Sequence, residues 1–300
     1  MSELILSSEL LNKLVGGNIP SKDESYQIYQ DAEREPLELY KVSQFLRSKY
    51  KDTTVTYSRK VFFNLINLCR DTCSYCTYKS EPGQTKISML SKNDISRLVE
   101  IGKKYNCTEA LFVTGERPEQ KYQEAREWLK ENGFSSTAEY LVHASEMALK
   151  GGLFPHTNAG NLTKDEMKEL KKTNVSMGLM LENASERLSE KNMAHQFAPS
   201  KNPNARRKIL QNAGELKIPM TTGLLVGIGE SPFELIDSIY AIKEIHDKYQ
   251  NIQEVILQNF QPKQDTPMKN NSSPQEKYFK ILVALTRIIL PNNDNGNDGD

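Results

Sequence analysis

The sequence has few cysteines, no excess of either charge and no long apolar run. Four cysteines in 300 residues are too few for a disulfide scaffold. Thirty-nine basic residues balance 39 acidic ones, so no net charge favours nucleic acid or anionic lipid as a partner. No apolar stretch reaches the length of about 18 residues that a membrane span needs, and residues 1–17 lack the basic start of a secretory signal. The composition predicts a soluble, cytoplasmic chain with no membrane or nucleic-acid partner.

Short apolar runs alternate with amphipathic stretches after residue 53, which predicts an α/β fold. The runs cover residues 61–67, 110–114, 153–156, 175–181, 220–226 and 254–258. Ser91, Thr163 and Ser231 each precede an acidic residue by three positions, as residues that cap helix N-termini do. A similar helix start is expected at Ser273–Pro274. Repeated strand–helix units imply parallel strands joined by right-handed crossovers.

Polar residues and glycines follow nearly every predicted strand, which favours a barrel over an open sheet. They are Cys69, Gly115, Glu116, Asn158, Glu182, Gly227, Gly229, Glu230 and Asn259. An open sheet gathers its functional residues at one switch point, whereas a barrel takes them from the ends of many strands. We therefore expect a partial or full (β/α) barrel of at least six strand–helix units, with one site at its upper face.

The composition divides the chain into three parts. Residues 1–53 are predicted to form a helical N-terminal extension, because apolar residues recur at helical spacing in 4–15 and 37–46. Residues 54–291 are predicted to form the barrel. Residues 292–300 contain only Asn, Asp and Gly, which predicts a disordered polar tail.

Three of the four cysteines lie close together, at Cys69, Cys73 and Cys76, directly after the first predicted strand. A structural zinc site usually takes four closed ligands, and neither a second cysteine pair nor a histidine at zinc-finger spacing is present. Iron–sulfur clusters take thiolate ligands, so they fit three clustered cysteines better. Three thiolates on a cluster of four irons leave one iron without a protein ligand, and such an iron can bind a small molecule. Cys107 stands alone and is expected to pack as a small apolar residue.

The spacing Cys69-x3-Cys73-x-Tyr75-Cys76 resembles the motif of the radical S-adenosylmethionine (radical SAM) superfamily. The resemblance implies a (β/α) barrel that holds a [4Fe–4S] cluster, whose fourth iron binds the amino and carboxylate groups of SAM. It also implies that reductive cleavage of SAM yields a 5′-deoxyadenosyl radical. In such enzymes the protein orients the cofactor and excludes side reactions.

The same resemblance implies roles for residues that follow later strands. Gly115 and Glu116 are similar to the glycine–glutamate stretch that meets the SAM ammonium. Glu182 stands where the superfamily contacts the ribose hydroxyls, and Arg187 is the expected partner of the SAM carboxylate, which its forked guanidinium suits. The glycine-rich segment that contains Gly227 and Gly229 resembles the one that lies against the adenine. For Glu182 and Arg187, a helix-terminal acid and a solvated base are equally good interpretations.

Longer segments, within about residues 54–268, resemble the 7,8-didemethyl-8-hydroxy-5-deazariboflavin (FO) synthase family. Among them are residues 109–119, 177–188, 221–230 and 254–263. The resemblance implies a lyase of coenzyme F420 biosynthesis whose small-molecule substrate is a hydroxybenzyl–ribitylaminouracil adduct. It also implies a reductant such as ferredoxin or flavodoxin, and association with a sister radical SAM subunit. The family's last segments have no counterpart after Pro291, so the C-terminal part of the barrel is expected to be truncated.

The residues that would hold the substrate carry the weakest signal. His195, Asn158 and Tyr75 are candidates, since each falls in a segment expected above the barrel mouth. Two other functions remain open at this point. One is the sister radical SAM transferase, which joins tyrosine to 5-amino-6-ribitylaminouracil, and the other is a non-catalytic module that binds zinc at the three cysteines.

Overall fold

A parallel sheet of seven strands in sequential order forms the centre of the molecule. The computed structural model describes residues 9–51, 55–84, 87–292 and 294–296. Within these ranges every strand pairs with the next one along the chain, and β1 and β7 form the two edges, so the sheet is an incompletely closed barrel. The strands are β1 Lys60–Asn64, β2 Glu109–Val113, β3 Phe154–Asn158, β4 Ser176–Gly178, β5 Met220–Val226, β6 Ile252–Asn259 and β7 Asp294–Gly296.

Helices cover the outer face of this sheet, as an α/β barrel requires. They are α4 Lys92–Lys104, α5 Pro118–Lys121, α6 Gln123–Glu131, α7 Thr137–Lys150, α8 Lys164–Leu170, α9 Pro203–Glu215, α10 Pro232–Tyr249 and α11 Glu276–Ile289. Successive residues of a strand point to opposite faces. Accordingly Val61 and Phe63 of β1 are buried against the helices, whereas Phe62 and Asn64 face the lumen and line a cavity there. The expected barrel of at least six strand–helix units is confirmed.

Three of the four expected helix starts carry the predicted cap. The hydroxyls of Ser91, Thr163 and Ser231 each accept the amide of the acidic residue three positions later, whose carboxylate in turn accepts the cap amide. The expectation at Ser273–Pro274 is wrong. The Ser273 hydroxyl binds the Gln261 side chain at 2.9 Å, and α11 begins only at Glu276.

The N-terminal extension consists of α1 Glu9–Val15, α2 Lys22–Arg34 and α3 Leu37–Lys51. Helix α2 lies within the predicted helical extension, between the two stretches in which apolar residues recur at helical spacing. The three helices form a second hydrophobic cluster with α10 and α11, which includes Ile28, Leu46, Ile236 and Leu285. The extension is therefore packed onto the barrel's helices. Residues 1–8 and 52–54, which belong to the predicted division, lie outside the described part of the chain.

The polar segment after Pro291 contains a strand where the sequence predicts a disordered tail. Residues Asp294–Gly296 form β7, which pairs in parallel with β6 from Glu254 to Ile256. That prediction is wrong for these three residues, because pairing along a free sheet edge uses backbone groups and needs no apolar side chain. The rest of the predicted tail beyond Asn292, residues 293 and 297–300, lies outside the described residues. In the ranges that are described, no helix is both long and apolar enough to cross a bilayer.

We expect the contact between α3 and the barrel helices to contribute measurably to stability. Leu46 is 2% exposed in the second cluster, whereas Leu37 on the same helix is 60% exposed. Leu46→Ala should lower the free energy of unfolding by about 3 kcal/mol, since it leaves a cavity between helices. Leu37→Ala is the matched control and should change it by about 0.5 kcal/mol or less. Urea denaturation followed by circular dichroism measures both, and equal effects would show that α3 does not pack this way in solution.

Candidate cofactor site

The three clustered thiols open onto one cavity at the carboxyl ends of the strands. Cys69, Cys73 and Cys76 are half-buried and line a cavity of about 410 Å³. Burial raises the pKa of Cys69, and it raises the pKa of Cys73 to about 12. Cys69 and Cys73 are therefore stabilised in the protonated form, and a bound metal would have to displace their protons.

Backbone hydrogen bonds hold the cysteine loop, residues 69–76, against residues 194–200. The amide of Thr72 donates to the carbonyl of Phe197 at 2.7 Å, and the amide of Ser74 donates to that of Ala194 at 2.9 Å. Asp71, which is 2% exposed, accepts from both the amide and the hydroxyl of Ser200. These contacts fix a loop that has no regular secondary structure of its own.

Gly115 and Glu116 join the end of β2 to the same loop. A side chain at Gly115 would place its Cβ 1.9 Å from the carbonyl oxygen of Leu68, so only glycine allows this approach. The Glu116 amide donates to Cys69 Sγ at 3.2 Å, and its carbonyl accepts from the Arg70 amide at 2.8 Å. The Glu116 carboxylate is 6% exposed and lines the cavity. Burial raises its pKa, which the amide of Asn161 on Oε2 partly offsets.

Glu182, Lys201 and Arg206 form the opposite wall of the cavity. Glu182 follows β4 with a left-handed backbone (φ 63°), which turns its buried side chain into the cavity. Burial alone would raise the pKa of Glu182, but the charges of Lys201 and Arg206 outweigh it and hold the pKa below its ordinary value. The Arg206 guanidinium donates to the carbonyls of Met180 and Ser200 and is 4% exposed.

Arg187, the expected partner of a carboxylate, does not reach this cavity. Its guanidinium binds both carboxylate oxygens of Glu234, at 2.9 and 2.6 Å, and the carbonyl of Gly229 at 2.8 Å. These contacts hold the pKa of Glu234 at about 2. Arg187 and Gly229 line a second cavity beside Ser74 and Ile228. Arg206 is instead the guanidinium that borders the three thiols, and the sequence analysis missed it.

The glycine-rich turn after β5 owes its shape to Glu230, one of the polar residues expected after the strands. Gly227 and Gly229 have φ angles of 99° and 110°, which side chains rarely tolerate. The buried carboxylate of Glu230 accepts the amides of Gly227 and Ile228 at 2.6 and 2.8 Å. The turn therefore presents Ile228 and Gly229 to the second cavity, not to the one that the cysteines line.

The three substrate-side candidates lie close to the thiols. Tyr75 and Asn158 line the cysteine cavity, and the hydroxyl of Tyr75 pairs with Nε2 of His195 at 3.0 Å. His195 is 3% exposed, and burial lowers its pKa to about 4. Burial also raises the pKa of Tyr75. At neutral pH the contact is therefore a hydrogen bond between a neutral imidazole and a protonated phenol.

The donors and acceptors that border the cavity suit a cluster with a polar small molecule beside it. Three buried carboxylate oxygens of this region, Asp71 Oδ1, Glu116 Oε1 and Glu182 Oε2, accept no hydrogen bond. The Arg70 guanidinium lies 3.8 Å from the first two, which is an ion-pair contact but not a hydrogen bond. Buried acceptors without a hydrogen bond are costly, so their presence points to a ligand that carries donors. Among the described residues, no three His, Cys, Asp or Glu side chains converge on one metal ion. A four-iron cluster needs no such convergence, because each thiolate binds a different iron.

Sequence comparisons agree with this chemistry. The profile of the radical SAM superfamily matches residues 63–239. The chain is 45% identical over 238 residues to a 7,8-didemethyl-8-hydroxy-5-deazariboflavin synthase of Methanopyrus kandleri, which covers 79% of this chain and 71% of that protein. The identity to the synthase of Methanocaldococcus jannaschii is 44% over 246 residues, or 82% of this chain and 67% of that protein.

Structural comparisons support the same fold. Methylornithine synthase (PylB) has a TM-score of 0.70 and 16% identity, over 96% of this chain and 78% of that one. The FeFe-hydrogenase maturase HydG from Carboxydothermus hydrogenoformans has a TM-score of 0.78 and 23% identity, over 96% of this chain and 64% of that one. The cofactors of the superfamily are a [4Fe–4S] cluster and SAM, which the cavity fits. The chain belongs to the radical SAM superfamily and, within it, to the family of the 7,8-didemethyl-8-hydroxy-5-deazariboflavin synthases.

Proposed function

We propose that this chain forms the deazaflavin FO from a hydroxybenzyl–ribitylaminouracil adduct, by hydrogen abstraction, ring closure and loss of ammonia. The observation that carries the proposal is the cavity bordered by three thiols, three buried carboxylates and a buried guanidinium. When bound, the cluster and SAM together supply the 5′-deoxyadenosyl radical that abstracts the hydrogen atom. The names of the relatives support the same reaction.

Cys69, Cys73 and Cys76 are the proposed cluster ligands. The backbone around them supports this assignment, because hydrogen bonds to the carbonyls of Phe197 and Ala194 hold the cysteine loop in place. Three ligands leave one iron open to SAM, and the polar groups around the cavity are then in place to orient it. Cys107 is half-buried and packs against the hydrophobic core between the sheet and its covering helices. It does not line the cavity.

The other polar residues have proposed roles toward SAM. Glu116 offers the ammonium group a buried oxygen that accepts no hydrogen bond, and Gly115 allows the approach that sets this position. Glu182 offers its unpaired oxygen to the ribose hydroxyls. Gly229 remains a candidate for the adenine side, since it lines the second cavity together with Ser74 of the cysteine loop, and Gly227 remains one as part of the same turn. Arg206 takes the role that the sequence analysis gave to Arg187, because the Arg187 guanidinium is bound to Glu234.

Partners follow from the chemistry of this site. A cluster that reduces SAM needs a one-electron donor, and we propose a reduced ferredoxin or flavodoxin. Association with the sister radical SAM subunit would pass the adduct directly from the enzyme that makes it. The three half-buried free thiols suit a reducing compartment, so we place the chain in the cytoplasm.

Each cluster cysteine should be indispensable. Replacing Cys69, Cys73 or Cys76 singly by Ala should abolish both iron incorporation and SAM cleavage, since each thiolate holds a different iron. Cys107→Ala is the matched control and should keep full iron content, at a cost of about 1–2 kcal/mol in stability. Iron and sulfide analysis after anaerobic reconstitution measures the first, and 5′-deoxyadenosine release measures the second. Normal iron content in any of the three single variants would contradict the ligand assignment.

The two arginines allow a direct test of the carboxylate site. Arg206→Lys should raise the dissociation constant of SAM about tenfold or more, because a forked charge-assisted contact is lost. Arg187→Lys should leave it within about twofold. Equilibrium binding of SAM to the reconstituted protein measures both constants, with circular dichroism as the check on folding. The opposite ranking would restore Arg187 as the carboxylate partner.

Product analysis separates the proposed function from its alternatives. The protein reconstituted with iron, sulfide and SAM is supplied either with the adduct or with free tyrosine and 5-amino-6-ribitylaminouracil. FO and ammonia from the adduct are expected. Consumption of free tyrosine would identify the chain as the sister transferase. About one equivalent of zinc, with no iron or sulfide in anaerobically purified protein, would favour the non-catalytic module.

A further inference from the structure

A row of side chains crosses the lumen directly beneath the residues that border the thiols. Strand register aligns Phe62 of β1 with Leu111 of β2, His156 of β3 and Ser176 of β4. Residues aligned in parallel strands point to the same face of the sheet. Because Phe62 faces the lumen, the other three residues of the row face it as well. The next row up contains Asn64, Val113 and Asn158, which line the cysteine cavity. Phe62 itself lines that cavity, and the Phe62–Ser176 row, the lumen floor, lies one layer deeper in the barrel.

This floor is apolar on one side and polar on the other. Phe62 and Leu111 occupy the β1–β2 side, and Phe62 is 56% exposed even though it lies inside the barrel. His156 and Ser176 occupy the β3–β4 side, joined by a hydrogen bond of 2.7 Å between Nδ1 and the hydroxyl. The floor thus offers a surface for an aromatic ring beside a surface for hydrogen-bonding groups.

The imidazole of His156 lies over Gly178, where no side chain competes with it. A Cβ added at Gly178 would lie 2.9 Å from His156 Nε2 and 3.4 Å from the Asn158 side chain. Nε2 therefore lies next to a residue that lines the cavity, and no described residue hydrogen-bonds to it. Burial lowers the pKa of His156, so the ring is neutral at neutral pH. Ser176 fixes the ring through the other nitrogen, which leaves Nε2 to bind a ligand.

We propose that His156 Nε2 hydrogen-bonds the ribitylaminouracil half of the substrate, while Phe62 and Leu111 receive the hydroxybenzyl ring. This assignment rests on the proposed function and adds the orientation of the substrate in the lumen. A uracil has ring carbonyl and amide groups, and the ribityl chain has hydroxyls, so either can pair with a neutral imidazole. The phenol ring gains more from the exposed face of Phe62. His156 is thus a specificity-determining residue, which distinguishes the complete adduct from a simple phenol.

The test measures binding of the adduct and of its fragment 5-amino-6-ribitylaminouracil. Isothermal titration calorimetry is done under anaerobic conditions on the reconstituted protein with SAM. His156→Ala should weaken both ligands about tenfold, as loss of one hydrogen bond in a desolvated site does. His156→Gln, which keeps an N–H near the Nε2 position, should recover most of the affinity. Phe62→Ala should weaken the adduct but leave the fragment within about twofold.

Two controls make the interpretation specific. His143→Ala changes a histidine on α7, on the outer face of the barrel, and should leave both affinities unchanged. SAM binding and the electron paramagnetic resonance signal of the reduced cluster should be unchanged in His156→Ala. In turnover, the KM of the adduct should rise about tenfold while kcat stays within about threefold, because a binding contact is removed and no reacting group is lost.

The outcomes separate this inference from the proposed function. If His156→Ala binds the fragment as tightly as the unmutated protein does, the role of His156 is overturned. The proposed function would still stand, provided that the unmutated protein binds the adduct. Wild-type protein that binds neither the adduct nor the fragment would contradict the proposed function itself. If His156→Ala does not fold, Ser176→Ala provides the test. It keeps the imidazole but removes the hydrogen bond to Nδ1 that orients it. The fragment should then bind several-fold more weakly, and unchanged binding would again overturn the inference.

Discussion

The close approach of β2 to the cysteine loop is the constraint on which the candidate site depends. Gly115 lies so near the Leu68 carbonyl that any Cβ would collide with it, and the next amide donates to Cys69 Sγ. One backbone junction therefore sets the positions of both a thiol and the Glu116 carboxylate. If the proposed roles hold, the cluster and the amino group of SAM are positioned by the same few hydrogen bonds. Such sharing suits a radical enzyme, in which a small displacement between the two groups would slow the reaction.

The charges around the cavity compensate one another across its width. Glu182 stays ionised while buried because Lys201 and Arg206 face it, and their effect on its pKa exceeds that of burial. Glu116 has weaker compensation, so burial raises its pKa. The two carboxylates thus differ in how much they would gain from a cationic ligand. Glu116, whose Oε1 accepts no hydrogen bond and lies 3.8 Å from the Arg70 guanidinium, gains the most, which supports its proposed place beside the SAM ammonium.

Patterns local in the sequence predicted the fold well, and contacts between distant segments were missed. Periodicity and the caps at Ser91, Thr163 and Ser231 identified the strand–helix order, because they depend on residues within one turn. The cysteine spacing identified the cofactor for the same reason. The resemblance pointed to Arg187 as the partner of the carboxylate, and only the structure reveals that Glu234, far along the chain, binds its guanidinium. Likewise, β7 forms because its backbone pairs with the edge of β6, and a pattern within residues 292–300 cannot predict such a pairing.

The two sides of the lumen floor differ in their distance from the open edge of the barrel. Because β1 and β7 are not paired within the described residues, Phe62 of the first strand remains largely exposed although it faces inward. The polar half of the floor lies across β3 and β4, far from either edge, where neighbouring strands on both sides fix His156 and Ser176. A hydrogen-bonding contact needs fixed geometry, whereas an apolar contact tolerates adjustment. In the proposed orientation, the heterocycle therefore meets strands that have neighbours on both sides, and the hydroxybenzyl ring meets the edge strand, where an apolar contact can adjust as the new bond forms.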